Sequence, residues 1–544
     1  MNKSKSNGLI SKAIVKSNLK RFTPLMVMGI VYFFCLYVLP AFFVDDLSSH
    51  LRGSLDFGFF AVRFYCAAMP LAVSLALCNF LHKKNAVMFH HSIPVKRTQM
   101  YLSIVIAGLI IMFVPIVLLS FYISAVVNIA TALKILGFGI LSSTYVFSIC
   151  ILAGIISGTT VMHFILAIWF NFLPQSIYAV LVTYSQVLLF GFTTKDIWND
   201  VALMSPETNT FSLLSTTSLV YIGIFVVIYI LAGFLYSRAK LERTENAVFF
   251  NSIKVLLNAL TSIYTMAIFG FIIYALKQTT TSFIVSSIIG AIIGSYAGYM
   301  ILNKTFKIFN KQATKITVCI VVLSMILSLS FMLDFYRFES RVPNVNDVKS
   351  VKLNSDMLDD NNSYEGWSSL FDNNYTNRDI ISNVINVQKA AIDNENKFDK
   401  TNGTYSVYIE YKLKNGKSIS REYEVSLDNK NIQKYMKYIY ESKSFKEKTQ
   451  FSNIENEIKE ISVSNSETDL KVPARYIDDL IETLDKDRSN MSYEQNLNGQ
   501  SSGYELVLDL SDKEIRYFSI SVKNSDKGTL EFIEKLRKEA KGKK

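Results

Sequence analysis

Residues 101–127 read YLSIVIAGLIIMFVPIVLLSFYISAVV, a run without a single charge. A helix of that length reaches about 40 Å, more than the ~30 Å hydrocarbon core of a bilayer. This stretch predicts a membrane-spanning helix and decides the fold class. Working outward from it, apolar runs of similar length fill 23–44, 57–80, 133–157, 159–192, 216–237, 250–276, 279–302 and 316–335. Together they make nine predicted spans. The run 159–192 is long for one straight crossing and holds Pro174, flanked by Asn171 and Gln175. It predicts a kinked helix or a helix with a re-entrant tail, and its length also admits two crossings.

Charge sorts the connecting segments. Residues 1–22 carry Lys3, Lys5, Lys12, Lys16, Lys20 and Arg21 and no acid. The 82–100 loop has Lys83, Lys84, Lys96 and Arg97, and the 303–315 loop has Lys304, Lys307, Lys311 and Lys315, all unopposed. The intervening loops differ: Asp45, Asp46 and Asp56 outnumber Arg52, and Asp196, Asp200 and Glu207 outnumber Lys195. Basic loops stay in the cytoplasm. A single crossing at 159–192 puts every strongly basic loop on that side, whereas two crossings would send 303–315 outside. The reading is therefore a multi-pass cell-membrane protein with a cytoplasmic N-terminus and an extracellular C-terminal domain.

Half of the residues are hydrophobic and 19% are charged, and the two classes are segregated along the chain. The net charge of +11 needs no nucleic acid, because residues 336–544 hold 33 basic against 36 acidic side chains and the excess lies in the cytoplasmic segments. That excess marks topology and offers a contact surface for anionic membrane lipid. The fold class is an α-helical polytopic membrane bundle followed by an α+β extracellular domain. Residues 1–22 form a cytoplasmic amphipathic segment, 23–237 a six-span region, 238–335 three further spans and 336–544 the outer domain. In the first of these, Lys12, Lys16 and Lys20 share a stripe away from Leu9, Ile10 and Ile14, which predicts a short interfacial helix rather than a cleaved signal peptide.

Cys35, Cys66, Cys78, Cys150 and Cys319 all fall in predicted spans, so the outer domain is no disulfide scaffold and must fold on its own apolar core. Segments 404–413 and 417–426 alternate about Asn415-Gly416, a hairpin signal, and a helical pattern follows at 429–443. A second strand pair, 504–510 and 514–522, precedes a helix at 527–541. The two strand–strand–helix units suggest an internal repeat. Pro473 opens another helix through Asp487, and 355–379 reads as an acidic loop in which Asp356, Asp359 and Asp360 lack EF-hand spacing. Val407, Ile409 and Tyr411 share one strand face, and Ile432, Met436 and Ile439 one helix face, so the domain is expected to fold without the bundle, with 336–346 as a tether.

Catalytic motifs are lacking. Gly416-Lys417-Ser418 resembles the end of a phosphate-binding loop, but Tyr411 stands where the first glycine belongs and the stretch is a hairpin turn. His90 and His91 are adjacent, and His82 lies too far away for a one-turn pair of metal ligands. The expectation is no enzyme, no metal and no cofactor. Three polar features lie within the spans. Arg63 can snorkel or face a substrate. Asn171 and Gln175 can bond neighbouring helices or line a substrate path. Asp334 reads as interfacial.

The stretch Phe89-His90-His91-Ser92-Ile93-Pro94-Val95-Lys96-Arg97-Thr98-Gln99-Met100-Tyr101 reads as a helix start, with Ser92 as cap and Pro94 in the first turn, running through Lys96 and Arg97 into the third span. It resembles the segment after the second span of ABC-2-type permeases, the membrane subunits of bacterial ABC transporters. Residues 236–249, from Tyr236-Ser237-Arg238-Ala239 to Asn246-Ala247-Val248-Phe249, resemble the Arg/Glu-rich stretch after the sixth span of that group. The resemblance covers residues 1–250; three further spans and the outer domain depart from it, although the strand pair around Asn415-Gly416 looks like C-terminal domains of some Gram-positive permeases. It implies an exporter of a peptide, an antibiotic-like compound or a lipid-linked compound, driven by a separate cytoplasmic ABC ATPase subunit and paired with a second permease copy or a paralogue. His90, His91, Ser92, Pro94, Lys96 and Arg97 would form the ATPase-coupling loop, and Arg63, Asn171 and Gln175 the candidate substrate path. The alternative is a membrane-anchored sensor or assembly protein with a ligand-binding outer domain.

Overall fold

A computed structural model describes residues 9–43, 55–194, 204, 216–239, 247–248, 251–334, 337–358, 370–393, 404–465, 469–510 and 517–541. The loop acids Asp45, Asp46, Asp196, Asp200, Glu207, Asp359 and Asp360 lie outside the described residues. The chain divides into two compact units, Met1–Tyr184 with Lys195–Leu329, and Ser185–Thr194 with Ser330–Lys544.

The first unit is a helical bundle. Its helices are α1 Lys12–Phe33, α2 Leu55–Cys78, α3 Lys84–Ser92, α4 Arg97–Val126, α5 Ile129–Ile156, α6 Thr160–Asn171, α7 Leu173–Leu188, α8 Thr216–Arg238, α9 Asn251–Lys277, α10 Thr280–Asn303 and α11 Lys311–Met332. Among the described residues eight helical spans are long and apolar enough to cross a membrane, and the bent pair α6–α7 makes a ninth if it counts as one. By helix length and composition this is a multi-pass membrane protein.

Local chemistry explains the breaks. Phe22 leaves the helical region inside α1, two residues before Pro24. The Thr23 hydroxyl donates to the Leu19 carbonyl at 2.8 Å and also reaches that of Lys20, the carbonyl whose amide partner Pro24 lacks. The basic stretch before Phe22 therefore enters the first span as one kinked helix. In 159–192 the chain bends by 55° between Asn171 and Leu173. The expected kink is present, but Pro174 does not sit in mid-helix. It is the second residue of α7, where its missing N–H would be unpaired in any case.

α5 is central, the most buried of the long helices, and packs against α2, α4, α6 and α8. Its Ser142, Ser143 and Ser148 are fully buried. Small residues of this kind let neighbouring helices approach closely. α9 and α10 form a tight antiparallel pair, in which Ser262 Oγ donates to the Ala291 carbonyl at 2.6 Å.

The second unit carries two four-stranded antiparallel sheets, of order β2-β1-β3-β4 and β6-β5-β7-β8. The strands are β1 Val348–Ser355, β2 Asn374–Tyr375, β3 Thr404–Leu413, β4 Ser418–Ser426, β5 Ile458–Ser464, β6 Asp469–Lys471, β7 Ser501–Leu510 and β8 Tyr517–Lys523. Its helices are α12 Arg378–Asp393, α13 Lys430–Tyr440, α14 Lys443–Lys448, α15 Ile477–Asn490, α16 Tyr493–Asn498 and α17 Lys527–Lys541. Both expected hairpins are present. At Asn415-Gly416 only the glycine has a positive φ, +83°. Leu413 N donates to Lys417 O at 2.8 Å, so the hairpin closes with a glycine bulge rather than a two-residue turn.

The repeat is deeper than two strands and a helix. Each copy runs strand, strand, helix, strand, strand, helix, and each closes its own core: Val351, Ile409, Tyr423, Val384 and Met436 in the first, Ile461, Leu506, Ile520, Leu480 and Ile533 in the second. The loop expected over 355–379 gives way to β2 and the first turn of α12, because Tyr375 and Ile380 are buried in the first core. The helix expected over 429–443 stops at Tyr440, and Ser442 caps a new one. The tether expected over 336–346 is packed instead. Arg421 lies 3.8 Å over the Phe338 ring and donates to its carbonyl at 2.9 Å, and Val342 and Val345 pack on the first core.

Candidate functional site

α3 is a short helix set off from α2 by the turn Asn79–His82 and one extended residue, Lys83. Val87 is its buried anchor, and the His90 ring packs on Phe80 with centroids 4.5 Å apart. That burial, with the Arg21 charge nearby, holds the His90 imidazole below its ordinary value. Met88 and Phe89 point away, 65% and 68% exposed, beside exposed Lys84. The side chain of His91 lies outside the described residues.

Ser92 does not start a helix. It is the last residue of α3, and its hydroxyl donates to the Phe89 carbonyl at 2.8 Å. Pro94 holds the preceding Ile93 extended, and α4 begins only at Arg97 with Lys96 as its cap residue. Lys96 is exposed. Arg97 is turned inward: its Nη1 donates to the carbonyls of Ser237 at 3.0 Å and Ala239 at 3.1 Å, the orphan groups at the end of α8. Tyr101 and Tyr236 lie with ring centroids 6.1 Å apart, and Tyr236 OH donates to Met100 Sδ at 3.1 Å. The two stretches 89–101 and 236–249, far apart in the chain, thus meet at one end of the bundle. Residues 240–246 and 249 of the second lie outside the described residues. Its Ala247 and Val248 reach the α5–α6 break, where Gly158 N donates to Ala247 O at 3.3 Å and Ser157 bridges Val248.

Beside that break sits a polar cluster in an apolar bundle. His82 Nε2 is 3.3 Å from the Gly154 carbonyl and 3.3 Å from Ser157 Oγ, and its Nδ1 is 3.4 Å from Thr160 Oγ1. His163 Nε2 is 2.9 Å from the Cys150 carbonyl and 3.4 Å from Ser74 Oγ. The two rings lie edge to face at 5.3 Å. In the sequence His82 is too far from His90 and His91 to pair with them as a ligand, and no motif marks His163. His163 carries a signal, an ionisable residue inside the apolar run 159–192, whereas His82 stands just past the run 57–80. Among the described residues no group of three or more His, Cys, Asp or Glu side chains is placed to hold a metal ion.

The residues read as a substrate path are not joined to one another. Asn171 Nδ2 donates to the Ala167 carbonyl of its own helix at 2.7 Å and reaches Cys150 Sγ at 3.7 Å. Gln175 Oε1 and Arg63 Nε are buried without a hydrogen-bond partner among the described residues. Asp334 takes a left-handed backbone, and its carboxylate accepts from Glu339 N at 3.1 Å, which makes it part of the packed exit from α11. Compared with known protein families, curated proteins and solved structures, the chain matches none.

Proposed function

We propose that this chain is the membrane subunit of an ABC exporter, similar to ABC-2-type permeases, and that a separate cytoplasmic ATPase subunit drives it. The observation that carries the reading is the junction of the two permease-like stretches through Arg97, Ser237 and Ala239. In this reading the end of the bundle bearing α3 faces the cytoplasm with the N-terminus and the 303–315 loop, and the two-copy domain lies outside. α3 is the coupling element. Its docking face is Lys84, Met88, Phe89 and Lys96: an apolar tip for a groove on the ATPase, ringed by cations. Arg97 holds α4 to α8 behind that face. The cargo, a peptide, an antibiotic-like compound or a lipid-linked compound, would move between two states of the bundle that bind it differently.

The sensor reading draws on a different observation. Residues Ser185–Thr194, at the end of α7, belong to the compact unit of the two-copy domain. A ligand-induced shift there would pull directly on a bent helix pair.

Affinity purification of the full-length protein from its own cells separates the two. An exporter subunit brings down an ATPase, and Phe89→Glu weakens that association by about 30-fold, the loss of one interface anchor of ~2 kcal/mol. A wild-type protein that retains no ATPase, or a Phe89→Glu protein that retains it fully, overturns the exporter reading.

A further inference from the structure

We infer that His82 and His163 are the joint through which movement of α3 reaches the α5–α6 break, acting as positioning residues for the transport cycle; this rests on the exporter reading above. The hydrogen-bond geometry assigns their roles. A carbonyl can only accept, so the nitrogen facing it must carry the proton. Both rings are therefore Nε2–H donors, to the Gly154 and Cys150 carbonyls one turn apart on α5. Gly154 O lacks its backbone partner at the helix end, because Gly158 N is bonded to Ala247 O, and it accepts instead from Ser157 Oγ at 3.3 Å and from His82. His82 is the donor that comes from another element, and its Nδ1 accepts from Thr160 at the start of α6. One side chain thus grips both sides of the break.

The same residue ends the turn Asn79–His82 that precedes α3, and only the extended Lys83 separates them. A pull on α3 is a pull on His82. His163 extends the grip inward, tying α6 to Cys150 on α5 and to Ser74 on α2. It also holds a reserve: its Nδ1 is buried and accepts no hydrogen bond among the described residues, on a side chain with no exposed surface. Such an idle acceptor can be filled in a second arrangement of the helices, as a two-state joint requires. α6 is also the first arm of the 55° bend, so rotation at the joint is carried along a lever into the bundle.

The test uses full-length protein in lipid nanodiscs and three variants. His82→Leu removes donor and acceptor, His82→Gln keeps one of each, and Thr160→Val removes only the Nδ1 partner. The first readout needs no ATPase: hydrogen exchange of amides 84–92 should accelerate about tenfold in His82→Leu, the effect of one net hydrogen bond, and return toward wild type in His82→Gln. The second is coupling. His82→Leu should bind the ATPase as wild type does, because the docking face is intact, yet lose most of the permease-stimulated ATP hydrolysis, with His82→Gln restoring it and Thr160→Val falling between. Unchanged exchange at 84–92 in a folded His82→Leu protein overturns the joint whatever the ATPase does. Absence of an ATPase from the wild type overturns the exporter reading, and the exchange arm then still decides whether His82 holds α3.

Discussion

Val348–Ser355 and Ile458–Ser464 occupy the same place in two sheets of the same strand order, and each is bulged at its second residue, between Val348 and Ser350 and between Ile458 and Glu460. The two copies reach one backbone solution yet close it differently. The first is completed by chain from outside itself. Glu422 N on β4 donates to the Gly191 carbonyl at 3.2 Å, Phe190 packs on Tyr423, and Phe190 N donates to Glu339 at 2.7 Å. Its buried cation, Arg421, rests on carbonyls and on the Phe338 ring; burial pushes that guanidinium below its ordinary value. The second copy borrows Leu370 and Phe371 from the first for its core but neutralises its buried charge with its own carboxylate. Its buried cation, Arg488, pairs with Asp526 at 3.2 Å, and burial pushes that carboxyl above its usual range. The difference teaches that an exposed sheet edge and a buried charge are separate problems. The first copy recruits a neighbouring segment for both, and the second meets its buried charge with a carboxylate of its own.

The sharpest break of the comparison comes from Asp526→Ala. It leaves Arg488 buried without its carboxylate, which costs about 3–5 kcal/mol. The expected result is opening of the second copy, seen as accelerated hydrogen exchange in β7, β8 and α17, while β3 and β4 stay protected. Equal opening of both copies would show one cooperative unit in place of two.

Gly191→Ala addresses the first copy. Residue 191 has φ of +78°, and an added Cβ would stand 2.5 Å from the Tyr423 ring. Overpacking at such a contact costs about 1–3 kcal/mol. The amide of Glu422 should lose protection and the second copy should not respond. If β4 keeps its protection, residues 190–193 are not what closes that edge.

Much of this architecture was legible in the chain, for reasons that differ by region. Apolar runs such as 101–127 leave little choice, because every backbone group must be paired within the span. The hairpins 404–426 and 504–522 announce themselves by alternation and turn chemistry. β1 and β5 do not: VKSVKL and IKEISV are short, are interrupted by Lys, Ser and Glu, and gain their identity only from pairing with strands some fifty residues later. The capping role read for Ser92 failed because Pro94 keeps Ile93 extended, so the helix ends where it was expected to begin. Nothing local to Arg97 reveals that α8 ends beside it. His82 and His163 were hidden for the same reason. Their meaning lies in the packing of helices distant in sequence, which no spacing rule encodes.

The smallest expected effect tests the seam between the copies. Lys446 on α14 of the first copy donates to the carbonyls of Arg488 and Met491 at the end of α15, 2.8 Å each, and its Nζ lies 4.1 Å over the Tyr440 ring. Burial lowers its amine to about 8, against the opposing charge of Glu441. An unfolded chain keeps that lysine near its ordinary value of 10.5. Between the two values unfolding takes up a proton, so stability rises with pH across that window. The neutral amine still has two N–H groups for the two carbonyls, so the bonds survive deprotonation. Burial drives Tyr440 and Tyr493 the other way, above their ordinary 10.0, so neither begins to oppose the trend until the pH passes that value. Thermal melts of the C-terminal unit from pH 7 to 9.5 should therefore climb slightly, by less than about 1 kcal/mol once solvent screening of a partly exposed amine is allowed for. Lys446→Met should abolish the slope and lower the midpoint at every pH, because two helix-end carbonyls lose their donor. A wild-type slope of the opposite sign, or one that survives Lys446→Met, would mean that the copies are not joined through this lysine.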